Sequence, residues 1–132
     1  MNPILLIFDN SRFAELIRFV LTTAGLKIEL LADPLEIFEK IKEMNPPLIV
    51  MDIFLKNIDG LYLLERLYSV KEFTKIPVFI VSSRNEPLAV FDALERGAAD
   101  YMAAPINEDM LIEKVNKLLQ ANWKSIETKS IE

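Results

Sequence analysis

Two aspartates and a serine sit where apolar runs break off. Residues 4–8 lead into Asp9, residues 48–51 into Asp52 and residues 78–81 into Ser82. A fourth run, residues 101–104, ends at Ala104-Pro105 and carries no polar group there. Parallel strands would set these carboxyl ends side by side, and open α/β sheets form their sites in the crevice at that edge. Two carboxylates and a hydroxyl would then share one crevice. The chain has no cysteine and no histidine. That excludes disulfides, zinc–thiolate centres, thiol nucleophiles, Ser–His and Cys–His triads, histidine-bound metals and a phosphohistidine donor. What is left is the chemistry of carboxylate and hydroxyl oxygens.

The elements that would position these oxygens follow from the hydropathy pattern. At 132 residues the chain has the size of one domain, large enough to bury a core without metal or disulfides. Apolar runs of strand length alternate with segments of helical period. Phe13, Leu16, Ile17, Val20 and Leu21 recur at i, i+3, i+4, i+7 and i+8, one face of a helix. Asn10 or Ser11 can cap its start and Gly25 can close its end. A second strand is predicted over residues 27–31. Asp33-Pro34-Leu35-Glu36 is a helix start, with Leu35, Phe38, Ile41 and Met44 inward. A central strand lies between Pro46-Pro47 and Asp52, followed by a loop and a helix opened by Gly60 with Leu61, Leu64 and Leu67 inward. The fourth strand begins after Pro77, and the next helix runs through Val90 and Leu94 to Gly97. The fifth strand covers residues 100–104. Asn107 caps a last helix that turns Leu111, Val115, Leu118 and Leu119 inward. Five strands and five helices in strict alternation imply right-handed crossovers and a parallel α/β sheet with helices on both faces.

Fifteen Lys and Arg against twenty Asp and Glu give a net charge of -5. That balance offers nucleic acid no basic footprint. The first eight residues lack the basic region of a signal peptide, and no apolar stretch has the length of a membrane span. The expectation is a soluble, cytoplasmic domain over residues 1–121, followed by a charged tail or linker stub over residues 122–132.

The strand ends and their spacing resemble the receiver domains of two-component response regulators, from residue 4 to about residue 119. The matching pieces are Ile4-Leu5-Leu6-Ile7-Phe8-Asp9, Leu48-Ile49-Val50-Met51-Asp52, Ile58-Asp59-Gly60, Pro77-Val78-Phe79-Ile80-Val81-Ser82-Ser83, Gly97-Ala98-Ala99-Asp100-Tyr101 and Ala104-Pro105-Ile106. The resemblance implies a flavodoxin-like sheet of strand order 2-1-3-4-5. It implies that Asp52 accepts a phosphoryl group from a sensor histidine kinase or phosphotransfer protein. Asp9, Asp52 and the Phe54 backbone carbonyl would hold Mg²⁺. Ser82 would be the switch hydroxyl, Ser83 its small neighbour and Tyr101 the switch aromatic. The Ala104–Pro105 peptide would be cis, and residues 87–120 would form a face for a homodimer or a downstream protein. Activity would be limited to self-phosphorylation and autodephosphorylation of the aspartate. Phosphoryl transfer needs positioning and charge neutralisation more than covalent help, and Mg²⁺ is commonly held by one or two carboxylates plus waters.

Two positions depart from the family's pattern. Phe8 stands where a second acid is usual, and Ala104 where a lysine is usual. The first loss weakens support for the metal. The second removes the fixed cation that pairs with the phosphoryl group, and one charge-assisted hydrogen bond is worth roughly 1.5–3 kcal/mol. Inverting a two-state population from 1:99 to 99:1 takes about 5.5 kcal/mol, so the loss is up to half of a switching free energy. Lys56 and Arg84 are the nearby cations in the sequence. A phosphorylation-independent docking module is the alternative within the family. A flavin or nucleotide-binding protein of like architecture is disfavoured because Asp9-Asn10-Ser11-Arg12 has no glycine-rich phosphate cradle. A haloacid-dehalogenase-type phosphatase would need an aspartate where Ser11 stands.

Overall fold

β-Branched and other apolar residues fill five short parallel strands: β1 (Ile4–Ile7), β2 (Ile28–Leu31), β3 (Ile49–Met51), β4 (Val78–Ser82) and β5 (Asp100–Ala103). The computed structural model describes the backbone of residues 2–9 and 11–131 and the side chains of residues 2–9 and 12–121. The strands pair in the order β2-β1-β3-β4-β5, all parallel. The helices are α1 (Ser11–Thr23), α2 (Ile37–Met44), α3 (Gly60–Tyr68), α4 (Pro87–Glu95) and α5 (Glu108–Ile131). The sheet is therefore the flavodoxin-like one that the family resemblance implies.

Strand alternation divides the interior into two cores. Leu5, Ile7, Ile49, Met51, Val78 and Ile80 point to one side, where they meet Ile37 and Ile41 of α2 and Leu63, Leu64 and Leu67 of α3. Ile4, Leu6, Val50, Phe79 and Val81 point to the other, against Ile17, Val20 and Leu21 of α1 and Leu111, Val115 and Leu119 of α5. Both faces of β1, β3 and β4 are thus buried, which is why those strands read as continuous apolar runs.

Helix ends follow their capping residues. Asp33 accepts from the Leu35 N–H at 3.0 Å, Asp59 from the Leu61 N–H at 3.0 Å and Asn107 from the Met110 N–H at 3.0 Å. Gly25 closes α1 at φ +90°, in the left-handed region that glycine enters without strain. Asn10 lies outside the described residues, as does the Ser11 side chain, so the expected cap of α1 falls there. The backbone of residues 122–131, set apart above as a tail, continues α5. Among the described residues no helix is long and apolar enough to cross a membrane.

Several inward assignments differ. Leu35 is exposed because Pro34–Glu36 forms a 3-10 turn before α2, so Ile37 takes the inward place. In α3 the buried residues include Leu63, while Leu61 is partly buried. Leu16 of α1 is exposed and Ala14 is buried in its stead. In α4, for which the sequence predicts no inward face, the buried residue is Ala93 and Leu94 is exposed.

Candidate functional site

Asp52 follows directly on β3, the middle strand, and is 1% exposed. Its N–H donates to the Ile7 carbonyl at 3.0 Å, which continues the β1–β3 ladder for one more residue. The chain then turns back on itself. The Phe54 N–H donates to Asp52 Oδ1 at 3.0 Å and the Ser83 N–H to Oδ2 at 3.3 Å. Burial pushes the Asp52 carboxyl above its usual range, opposed by hydrogen bonds from the Phe54, Ser83 and Ile53 backbone and the Ser83 side chain. Among the described residues no lysine or arginine pairs with it. A charge this buried is held by backbone N–H groups and the Ser83 side chain.

Asp9, two residues beyond β1, leans the same way. Its Oδ2 accepts from the Lys56 N–H, which ties the start of the first crevice loop to the loop after β3. That second loop is closed by Gly60, whose N–H donates to the Ile53 carbonyl at 3.1 Å. A Cβ at Gly60 would lie 2.4 Å from the Ile53 Cα, so only glycine permits the approach.

Across the sheet edge, Ser82 is the last residue of β4, paired with Ala103, and is fully buried. Its Oγ donates to the Arg84 carbonyl at 2.7 Å and accepts from the Arg84 N–H at 3.1 Å. Tyr101, half-buried on the edge strand β5, brings its hydroxyl to 3.5 Å from that same carbonyl. Burial first, and then the Asp52 and Glu86 charges, raise the Tyr101 phenol above its usual value, while a hydrogen bond with Ser82 opposes them. The Ala104–Pro105 peptide is cis, and the Ala104 N–H donates to the Ser82 carbonyl at 2.9 Å.

The structure thus gathers Asp9, Asp52, Phe54, Ser82, Ser83 and Tyr101 at one edge. Of the two departures from the family pattern, Phe8 is a packing residue and Ala104 is partly buried outside both cores. Phe8 is buried in the α1–α5 core, edge-on to Phe13 with ring centroids 5.7 Å apart, and Ala104 adds no polar atom. Met102 of β5 is buried in that same core. Two features had no sequence signal beyond the residue types. The Arg84 guanidinium lies 4.8 Å from the centroid of the Phe54 ring, and the Lys56 backbone rather than its ammonium serves Asp9.

The family model described as the response regulator receiver domain matches residues 4–116. The chain belongs to this family. It is 29% identical to chemotaxis protein CheY of Bacillus subtilis over 117 residues, 87% of this chain and 96% of that protein. It is 28% identical to transcriptional regulatory protein AfsQ1 of Streptomyces coelicolor over 120 residues, 91% of this chain and 52% of AfsQ1. Among solved structures, the receiver domain of NtrX from Brucella abortus superimposes with a TM-score of 0.80 at 27% identity, covering 89% of this chain and 98% of that domain. The chain spans about half the length of the first curated relatives it matches. Receiver domains serve two-component phosphorelay signalling. They are phosphorylated by histidine kinases or phosphotransfer proteins and generally bind Mg²⁺ at the phosphorylation site.

The donor set of this receiver suits that ion. Among the described residues no group of three or more acidic side chains forms a metal cluster. Mg²⁺ does not require one, since it keeps several waters and takes one or two carboxylates. Among the described residues Asp9 accepts one hydrogen bond, from Lys56, while an ionised carboxylate offers about four lone-pair sites. Oxygens therefore remain free for a hard cation.

Proposed function

We propose that Asp52 is the phosphoryl acceptor of this receiver and that Asp9, Asp52 and the Phe54 carbonyl hold its Mg²⁺. The observation that carries the reading is the Asp52 carboxylate itself: buried at the end of the central strand, with both oxygens oriented by backbone N–H groups. A charge that burial disfavours is kept there by the fold. An Asp52 oxygen attacks the donor's phosphorus, a new P–O bond forms, and the bond to the leaving group breaks with its electron pair leaving on the donor. Bound Mg²⁺ would neutralise charge on the phosphoryl oxygens. The rest falls to the chain. The Phe54 and Ser83 N–H groups aim the carboxylate, and Ser82 and Tyr101 respond to the product. The donor is a sensor histidine kinase or phosphotransfer protein, which puts the domain in the cytoplasm.

Without a lysine at position 104 and an acid at position 8, metal binding is weakened, phosphorylation is slow and substoichiometric, and its structural effect is small. The response is passed through residues 87–120, to a second copy or to a downstream protein. Leu88 and Phe91 of α4, 80% and 59% exposed, support that face together with Leu94 and Met110, since exposed apolar patches mark interaction sites.

Incubation with acetyl phosphate and Mg²⁺, read by intact mass, tests the assignment. One phosphoryl adduct is expected in wild type, none in Asp52→Asn, and much less in Asp9→Asn. Ala104→Lys should raise the loaded fraction. An adduct that persists in Asp52→Asn overturns the reading. No adduct in either wild type or Ala104→Lys would favour a docking module that works without phosphorylation.

A further inference from the structure

Given the assignment of Asp52 as acceptor, we propose that Arg84 supplies the cation that position 104 lacks. Its guanidinium would leave the Phe54 ring for the phosphoryl group when Ser82 turns away from the Arg84 backbone.

Charge, position and linkage meet at this residue. Ala104 follows directly on β5, and among the described residues no cation pairs with Asp52. A phosphoryl group arriving there adds roughly one to two negative charges, and the share that Mg²⁺ would not offset calls for a side-chain cation that can move. Arg84 is stationed for this. Its guanidinium rests 4.8 Å from the Phe54 ring centroid, and the Phe54 N–H is the one that holds Asp52 Oδ1 at 3.0 Å. Arg84 is exposed, and a guanidinium on a ring at an exposed site is held far less firmly than one hydrogen-bonded to a phosphoryl group. The guanidinium fork also matches phosphate oxygens two at a time.

The linkage is a matter of one proton. A serine hydroxyl has a single O–H to donate, and Ser82 spends it on the Arg84 carbonyl at 2.7 Å. It cannot donate to a phosphoryl oxygen and keep that bond. Turning Ser82 toward the phosphoryl group therefore frees the Arg84 carbonyl, and Tyr101, whose hydroxyl already stands 3.5 Å from it, can take over as donor. The event that needs the cation thus also loosens the backbone that carries it. A lysine on β5 would make this device unnecessary. Lys56, the other cation expected near the crevice, contributes its backbone N–H to Asp9, and among the described residues no side-chain contact ties its ammonium to the site.

The test uses the whole chain with beryllofluoride and Mg²⁺ as the phosphoryl probe, followed by fluorine NMR titration. Acetyl phosphate loading and acyl-phosphate lifetime are read by intact mass on the same samples. Arg84→Ala should weaken beryllofluoride binding about tenfold, the loss of one charge-assisted contact, and shorten the loaded lifetime. Arg84→Lys should fall between. In an Ala104→Lys background, Arg84→Ala should change binding less than twofold, because the β5 lysine then supplies the charge. The Arg84 bonds to Ser82 run through the backbone, so the alanine variant keeps them, and an unchanged melting temperature checks that. Equal binding by wild type and Arg84→Ala overturns the proposal, as does an undiminished Arg84→Ala effect in the Ala104→Lys background. If that background does not fold, the Ala and Lys variants of Arg84 still decide. If wild type forms no Asp52 adduct at all, the acceptor assignment itself fails, an outcome distinct from an adduct that is indifferent to Arg84.

Discussion

The two corners of this sheet edge keep their chemistry by different means. At the β1–β3 corner, among the described residues, the hydrogen bond to Asp9 and three of the four that reach Asp52 come from backbone N–H groups: Lys56, Phe54, Ser83 and Ile53. At the β4–β5 corner the working parts are side chains, namely the Ser82 hydroxyl, the Tyr101 phenol and whatever stands at position 104. Backbone donors survive substitution so long as the loop keeps its path. A side-chain cation is lost with a single change. That difference explains how this edge can keep the Asp9 and Asp52 carboxylates in place while position 104, just after β5, is an alanine.

If backbone geometry sustains the first corner, the way to break it is through the loop path. Gly60→Ala places a Cβ 2.4 Å from the Ile53 Cα and 2.6 Å from the Ile53 carbonyl oxygen. Both are main-chain atoms that no rotamer change can move aside. The expected loss is about 2–4 kcal/mol, read from denaturant midpoints. Acetyl phosphate loading of the folded fraction should fall as well, because Phe54 and Lys56 lie on the displaced loop. A variant as stable as wild type would show that the loop has room to yield.

The next effect has the opposite sign. Asp52 is a buried carboxylate that pairs with no cation among the described residues, so its charge opposes folding whenever it is ionised and metal-free. Asp52→Asn at neutral pH in chelator should raise stability by roughly 0.5–3 kcal/mol, visible as a higher melting temperature. The asparagine keeps an acceptor for the Phe54 N–H. Arg84→Ala, at the other corner, should leave melting where it is. A fall in melting for Asp52→Asn would mean that the N–H groups from Phe54 and Ser83 outweigh the burial of the charge.

Most of this architecture is legible in the chain because buried parallel strands leave continuous apolar runs, and a polar residue that ends one marks the crevice. Asp9, Asp52 and Ser82 were found that way, and the strand order followed from the family those residues resemble. What was not legible depends on contacts between elements. In α4 the apolar residues Leu88, Phe91 and Leu94 imitate an inward stripe, yet the helix sits on the sheet through the small Ala93, and the larger residues face out. β5 is four residues long, too short for its pattern to tell which face is inward, and Met102 went to the core. The Arg84–Phe54 contact joins two loops thirty residues apart, and nothing local in either segment announces it.

The smallest effect comes from a site remote from both corners and serves to separate stability from chemistry. The Tyr68 hydroxyl at the end of α3 donates to the Ile76 carbonyl at 2.9 Å, just before β4. Burial pushes its phenol up to about 12, with a hydrogen bond from the Val78 backbone opposing. Tyr68→Phe should cost about 1 kcal/mol at neutral pH, the usual net worth of such a bond. Its pH dependence has a definite sign. The folded chain holds the phenolic proton up to about 12 and the unfolded chain only to 10.0, so wild-type stability from this group is complete below pH 10 and is lost as pH rises through 12. Phenylalanine has no proton to lose. The advantage of wild type over Tyr68→Phe should therefore narrow above pH 10, vanish by about pH 11 and stand reversed at pH 12, measured as the difference between their denaturant midpoints. Phosphoryl loading at Asp52 should be alike in the two proteins at neutral pH, because this bond supports the amino end of β4 and touches neither corner. A difference in loading would show that the crevice answers to strain anywhere along β4, and the division into a backbone-held corner and a side-chain-held one would then be too simple.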